Sequence, residues 1–558
     1  MIRKYALAAS ASLVLLAGCG GGSGDININP STVDNSVNDS NNTVEGGGNT
    51  DINPCASYVT DSGQTRQGSV DGTDCVYDTT FVDAGNNLTV DLDIPALADG
   101  GAHIFRGSLF VGESHNSDAE LQAAGITEGG DGPTLTIEAG ATLAWQSNSN
   151  FVVINRGSRI IAVGTPSDPI TLTSVSDISG DLADDPEAVQ QWGGMVIDGF
   201  GVTNKCSYTG TRGDAGFALD GECHVASEGS AGLDENFYGG ANDDDSSGRL
   251  EYFIVKHTGA TVGNGDELNG ITFSGVGRNT IARNIQTYST FDDGIEMFGG
   301  AVSFENYVGV YVRDDSIDID EGWIGSIDTA LVIQSETDGN HCIEADGIGS
   351  YDDLDEATRT DFVARGLNSR PTINNLTCII SPNGAATATH DPGAGWRLRE
   401  GIWATINDSM VIGSFGPDSA DNNYCFRPED AETVQAFDDG NANLSSVLFA
   451  CVDQVAGDPT PGGTAQQDIG DTQFATIAGV TDATANADTG LILLEGVQPV
   501  FSVDFAGMVI DDAAPTVTAP ADFIGALSQS ADNPFADWAF GVFDGNRSQP
   551  LWFETAVP

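Results

Sequence analysis

Three short segments place acids and a histidine at matching positions: Asp292-Asp293-Gly294-Ile295-Glu296, Asp314-Asp315-Ser316-Ile317-Asp318 and Asn340-His341-Cys342-Ile343-Glu344. Their isoleucines are 22 and 26 residues apart, and a weaker copy, Asn269-Gly270-Ile271-Thr272, lies 24 residues before the first. A small residue, an isoleucine and an outward polar residue recurring at this interval are what one coil of a solenoid writes as it stacks on the next. Stacking predicts two columns, Asn269/Asp293/Asp315/His341 and Thr272/Glu296/Asp318/Glu344. Neighbouring parallel strands lie about 4.8 Å apart, and carboxylates at that spacing repel unless a cation or a shared proton sits between them. Two chemistries follow. Ca2+ accepts about 6–8 oxygens in irregular geometry, which makes Asp292, Asp293, Glu296, Asp315, Asp318, Asp320 and Glu344 candidate ligands. Alternatively, repulsion raises the pKa of one carboxyl and turns a pair into a general acid and its partner.

The elements that must carry these columns are short strands. Leu135-Thr-Ile137-Glu-Ala-Gly140-Ala-Thr-Leu143, Phe151-Val-Val-Ile154, Gly157-Ser-Arg-Ile160-Ile-Ala-Val-Gly164 and Ile170-Thr-Leu172-Thr are β-branched runs broken by Gly, Asn and Asp turns. The expected division is a leader over 1–18, a flexible Gly/Ser/Asn tether over 19–54 and an N-terminal cap and entry region over 55–132. A β-helix over 133–480 then carries insertions near 200–248 and 347–370, and strands with an aromatic cap fill 481–558. Trp538, Phe540, Phe543, Trp552 and Phe553 read as packing in that cap.

The phrases "LTIEAGATL", "GSRIIAVGTPSDPITLTS" and "WGGMVI", with the later "DDGIEMFGGAV" and "DDSIDIDEGW", resemble bacterial proteins of the pectin-lyase-like superfamily, many of them exported lipoproteins. The resemblance implies an all-β fold, a right-handed parallel β-helix (solenoid) with long loop insertions. The acid-bearing coils also resemble the polygalacturonase family of glycoside hydrolases, with its Asn-Thr-Asp-Gly, Asp-Asp, Gly-His-Gly and Arg-x-Lys motifs. By that resemblance Asp293, Asp314, Asp315, His341 and Arg397 would be catalytic, with Arg399 where the family has Lys. In an inverting hydrolase of this kind two carboxyls flank a water across about 6.5–9.5 Å. Trp323 and Trp396 flank the columns in sequence and are expected to stack on a sugar face.

The charge excludes other classes. Twenty basic against 82 acidic residues give −62, so nucleic acid and anionic lipid are not partners. Leu16-Ala17-Gly18-Cys19 after an apolar run resembles the lipobox of bacterial lipoproteins, which implies an acylated Cys19, a membrane partner through that anchor and an outer-membrane location, periplasmic or surface-exposed. The other eight cysteines fall in near pairs, so the simplest disulfides join Cys55 to Cys75, Cys206 to Cys223, Cys342 to Cys378 and Cys425 to Cys451. The leading functional expectation is a lipid-anchored envelope protein that binds a glycan, with Ca2+ in the acidic columns. A polysaccharide hydrolase is the alternative, and an adhesin or an accessory lipoprotein of an outer-membrane transporter is a third.

Overall fold

The structure, a computed structural model, describes residues 53–228, 236–260, 267–383, 392–413 and 423–456 apart from 446 and 452, then 502–504, 523–527 and 533–552 apart from 544. Cys19, the leader and nearly all of the tether lie outside the described residues.

Ten short strands stack into one sheet: β1 (Leu109–Val111), β2 (Val152–Ile154), β3 (Met195–Asp198), β4 (Ile271–Ser274), β5 (Ile295–Phe298), β6 (Ile317–Asp320), β7 (His341–Asp346), β8 (Ala394–Arg399), β9 (Tyr424–Pro428) and β10 (Asp453–Val455). Every neighbouring pair is parallel, as a coil that advances one strand per turn requires. Alternate side chains point inward. Ile271 and Phe273, Ile295 and Met297, Ile317 and Ile319, then Trp396 and Leu398 are all buried in one continuous core.

The opposite wall is made of longer strands, Gly248–Lys256, Ile281–Tyr288, Ser303–Val310, Ser326–Ile333 and Thr372–Ile379, also parallel. Each bends at one left-handed residue, respectively Tyr252 (φ 50°), Asn284 (53°), Asn306 (61°), Thr329 (70°) and Asn375 (52°). Asn tolerates that conformation better than most residues, and Asn306 Nδ2 donates to Asn284 Oδ1 at 2.9 Å, tying two bends together. One bend per coil folds the wall into two faces, so each coil has three sides and the ten-stranded sheet is one of them.

The chain is therefore an all-β parallel β-helix. Parallel pairing is already present between Asp74–Tyr77 and His103–Phe105, upstream of residue 133. Within 200–248, short antiparallel pairs (Tyr208–Thr209 with Ala218–Leu219, Val225–Ala226 with Phe237–Tyr238) form a decorated loop. Residues 347–370 contain a helix, Glu356–Ala364. The aromatic C-terminal segment covers a flank of the coil: Phe535, Trp538, Val542 and Leu551 are buried against outward-facing Ile254, Val310, Ile333 and Ile412. That flank needs a cover because its outward residues are apolar.

All four disulfides join the pairs expected from their spacing. Cys342, Cys378, Cys425 and Cys451 are buried inside the coil. Cys342–Cys378 closes 36 residues and braces the strand that carries His341 against the opposite wall. Replacing both cysteines by alanine is expected to lower the unfolding free energy by about 2–4 kcal/mol, the usual yield of a loop of that length, read as a lower denaturant midpoint with a slope that rises as the unfolded chain expands.

A carboxylate strip with a cationic end

The second column is present in register. Thr272 is opposite Glu296, Glu296 opposite Asp318, and Asp318 opposite Glu344. It then changes sign, because Glu344 is opposite Arg397 and Arg397 opposite Arg427.

The first column is a hydrogen-bond ladder. Asn269 Oδ1 accepts the Asp293 N–H at 3.1 Å, Asp293 Oδ1 accepts the Asp315 N–H at 3.0 Å, and Asp315 Oδ1 accepts the His341 N–H at 2.7 Å. Each acid thus uses one oxygen to satisfy the backbone of the next coil. The small residue that follows is a packing requirement: a Cβ at Gly294 would collide with the Tyr307 hydroxyl and the Ser316 carbonyl.

The strip divides into two halves of different electrostatics. In the acidic half, Asp292, Asp293 and Asp314 bring carboxylate oxygens within 4.8 Å of one another, and so do Asp293, Glu296 and Asp318. Asp293 is shared by both groups. Asp293 and Glu296 are buried, whereas Asp292, Asp314 and Asp318 are half-buried at the mouth. Burial first, and neighbouring acids second, push Asp292, Asp293, Glu296 and Asp318 well above the usual carboxylate range. The neighbour is Asp314 for Asp292, Asp292 for Asp293, Glu228 for Glu296 and Asp315 for Asp318. Neutral donors reach the edges, with Asn269 Nδ2 on Glu296 and Asn340 Nδ2 on Asp314 at 2.6 Å.

In the other half the charge is compensated within the protein. His341 Nδ1 lies 2.8 Å from Asp315 Oδ1 and 2.9 Å from Glu344 Oε2, and Nε2 lies 2.9 Å from the Tyr424 hydroxyl. Burial works against a charged imidazole there, but Asp315 and Glu344 outweigh it and hold the His341 pKa well above its ordinary value. Glu344 also pairs with Arg397 (3.3 Å) and Arg399, and Arg399 Nε reaches Asp346 at 2.5 Å. Against burial, His341 and then the two arginines drive the Glu344 pKa below the usual range. Burial lifts Asp315 to about 7, with His341 opposing. Among the described residues the ion pairs of the strip go to Asp315 and Glu344, and Asp292, Asp293, Glu296 and Asp318 make none.

A pH dependence follows for the cation-free protein. A carboxyl whose folded pKa is raised contributes stability below its unfolded value of about 4, and that contribution is lost as pH rises through the folded pKa. Asp315 and Asp198 at about 7, Glu400 at about 8 and the acidic half of the strip all act in this direction. Chelator-treated protein is therefore expected to melt at a lower temperature at pH 8 than at pH 5. Scans at matched ionic strength check this.

The structure corrects two sequence expectations. Trp323 and Trp396 are fully buried; Trp323 Nε1 donates to the Val302 carbonyl at 3.0 Å, and Trp396 packs edge-on to Phe449. They fill the coil interior and cannot stack on a sugar. Asp320 stands apart from both acidic triads and faces Glu321, Asp346 and Lys205. Arg397 is at the strip, engaged by Glu344 and by Glu429 at 2.8 Å.

Other participants enter from the structure. Tyr424 reaches His341 across Ala394, which is opposite His341 and leaves room for the phenol. Its signal was available, since Tyr424-Cys425 repeats the phase of His341-Cys342, with an inward cysteine after the site residue. Glu228, which acts on Glu296 and Asp292, comes from the 200–248 insertion, and no periodicity announces it.

A sequence model of the pectate-lyase-like β-helix domain matches residues 114–490, more than half of the chain, and the protein belongs to that family. No curated protein and no solved structure matches it.

Proposed function

We propose that this protein is a lipid-anchored envelope β-helix that binds an extracellular glycan, with Ca2+ held by the acidic half of the strip. One observation carries the reading: two triads of carboxylates share Asp293, the ligand oxygens within each triad lie within 4.8 Å of one another, and among the described residues Asp292, Asp293, Glu296 and Asp318 make no ion pair whereas Asp315 and Glu344 do. Like charges at that separation in a partly dry site are costly, and a hard cation with irregular oxygen coordination relieves them. Asp292, Asp293, Asp314, Glu296 and Asp318 would hold the ion; Glu344 would not, because His341 and two arginines already occupy it. A Ca2+ so held leaves coordination positions for glycan hydroxyls or carboxylates. Acylation at Cys19 would tether the body to the outer membrane. The test is glycan binding by the full chain with Ca2+ and with chelator. Retention that depends on Ca2+ and is lost in Asp318→Asn supports the reading; equal retention in both buffers sinks it.

The hydrolase reading has its own support, because Asp293, Asp315 and His341 do lie on successive coils of one face. Reducing-end release from neutral and acidic polysaccharides separates the two. The cation reading expects none, and turnover abolished by Asp315→Asn would establish the hydrolase.

A further inference from the structure

Away from the strip, a pocket of about 730 Å³ opens between helix Glu356–Ala364, from the 347–370 insertion, and helix Ala431–Asp438. That volume falls in the ordinary range for small-molecule sites, about 300–1,000 Å³. The chain passes directly from one feature to the other. Arg399 belongs to the strip, the next N–H, of Glu400, is accepted by the Asp430 carboxylate at the pocket wall, and Trp403 lines the pocket.

We infer that this pocket is a second carbohydrate subsite, one that takes an uncharged pyranose; the inference rests on the reading of the protein as a glycan binder. Three observations carry it. The first is aromatic. Trp403 and Tyr351 line the pocket and are only half-buried, unlike the sealed Trp323 and Trp396. Each is fixed by an arginine, with Arg370 lying 3.8 Å over the Trp403 ring and Arg359 lying 4.3 Å over Tyr351. An immobilised aromatic ring presents apolar surface to the C–H face of a sugar at little entropic cost.

The second is the polar complement. Gln435 and Asn441 line the pocket from exposed positions and carry amide groups, while Asp430 and Glu432 are held in place by bonds from Glu400, Thr433, Tyr351 and Arg359. Alternating donors and acceptors around an aromatic ring suit a polyhydroxylated ligand.

The third is charge, which decides between sugars. Glu356, Asp430, Glu432 and Asp439 are acidic, and Arg359, the basic lining residue, is already paired with Glu432 at 3.0 Å. A uronate would face uncompensated like charge here, so the pocket selects against it.

The experiment is calorimetric titration of the Ca2+-loaded full chain with neutral gluco-, xylo- and manno-tetrasaccharides and with an oligogalacturonate of the same length. Trp403→Ala is expected to weaken neutral-sugar binding about tenfold or more, to leave Ca2+ binding as in wild type, and to be largely rescued in Trp403→Phe. Should Trp403→Ala fail to fold, the double variant Gln435→Ala/Asn441→Ala, at exposed positions, must show the same loss. Neutral sugars bound equally by wild type and variants, or by neither, overturn the subsite, as does oligogalacturonate competing for it. Glycan binding that follows Asp318→Asn but ignores Trp403→Ala removes the pocket and leaves the strip reading intact. Failure of Ca2+ to bind removes the strip reading while the pocket comparison stays readable.

Discussion

Asp293→Asn is expected to change sign with calcium. Without the ion, the substitution keeps the Oδ1 that accepts the Asp315 N–H at 3.0 Å and removes one charge from both acidic triads. At pH 8 it should stabilise the protein, since burial and then the neighbouring acids raise the Asp293 carboxyl well above its usual range and the substitution removes that charge. With Ca2+ present the same change removes the ligand common to both triads, and the variant should be the less stable protein. Asp293→Ala separates charge from ladder. Compared with Asp293→Asn, it leaves the buried Asp315 N–H without its acceptor and should be less stable by about 1–3 kcal/mol with or without the ion. Urea midpoints of the three proteins, with Ca2+ and with chelator, give the comparison. An Asn variant as stable as wild type in both buffers would show that Asp293 serves the ladder alone.

The second large effect is that of the ion itself. Saturating Ca2+, at about a hundredfold excess over its Kd, should add about 2.7 kcal/mol to the unfolding free energy of the stripped chain. The increment should be larger at pH 8 than at pH 5. Ligand carboxyls must be ionised to bind, and Asp292, Asp293, Glu296 and Asp318 hold their protons well above the usual range. A stabilisation independent of pH would place the ion elsewhere, on surface carboxylates already ionised at pH 5.

The register of the strip was legible because each coil repeats one short phrase. Once Ile295 and Ile317 are both taken as inward, Glu296 must be opposite Asp318. The disulfides were legible for a related reason: near pairs on successive segments meet when the segments stack. What could not be read was the use of large aromatic residues. A tryptophan beside a polar column fills a coil interior as well as it lines a groove, and period-two alternation does not separate the two when bends intervene. Trp396 faces inward because Arg397, its neighbour, faces out. Insertions hid the rest. Arg397 is 56 residues beyond His341, and Glu228 is 64 residues before Asp292, so neither distance points to a shared site. The division of the strip into an acidic half and a half compensated by protein cations appears only when His341, Arg397 and Arg399 are seen converging on Glu344.

That division is the centre of the account, and direct binding tests it. Equilibrium dialysis of the chelator-stripped full chain against micromolar to millimolar Ca2+ at pH 7.5 should show saturable binding that is lost in the double variant Glu296→Gln/Asp318→Asn and retained in Arg397→Ala. Uptake by the double variant equal to that of wild type would contradict the assignment of the cation to the acidic half of the strip.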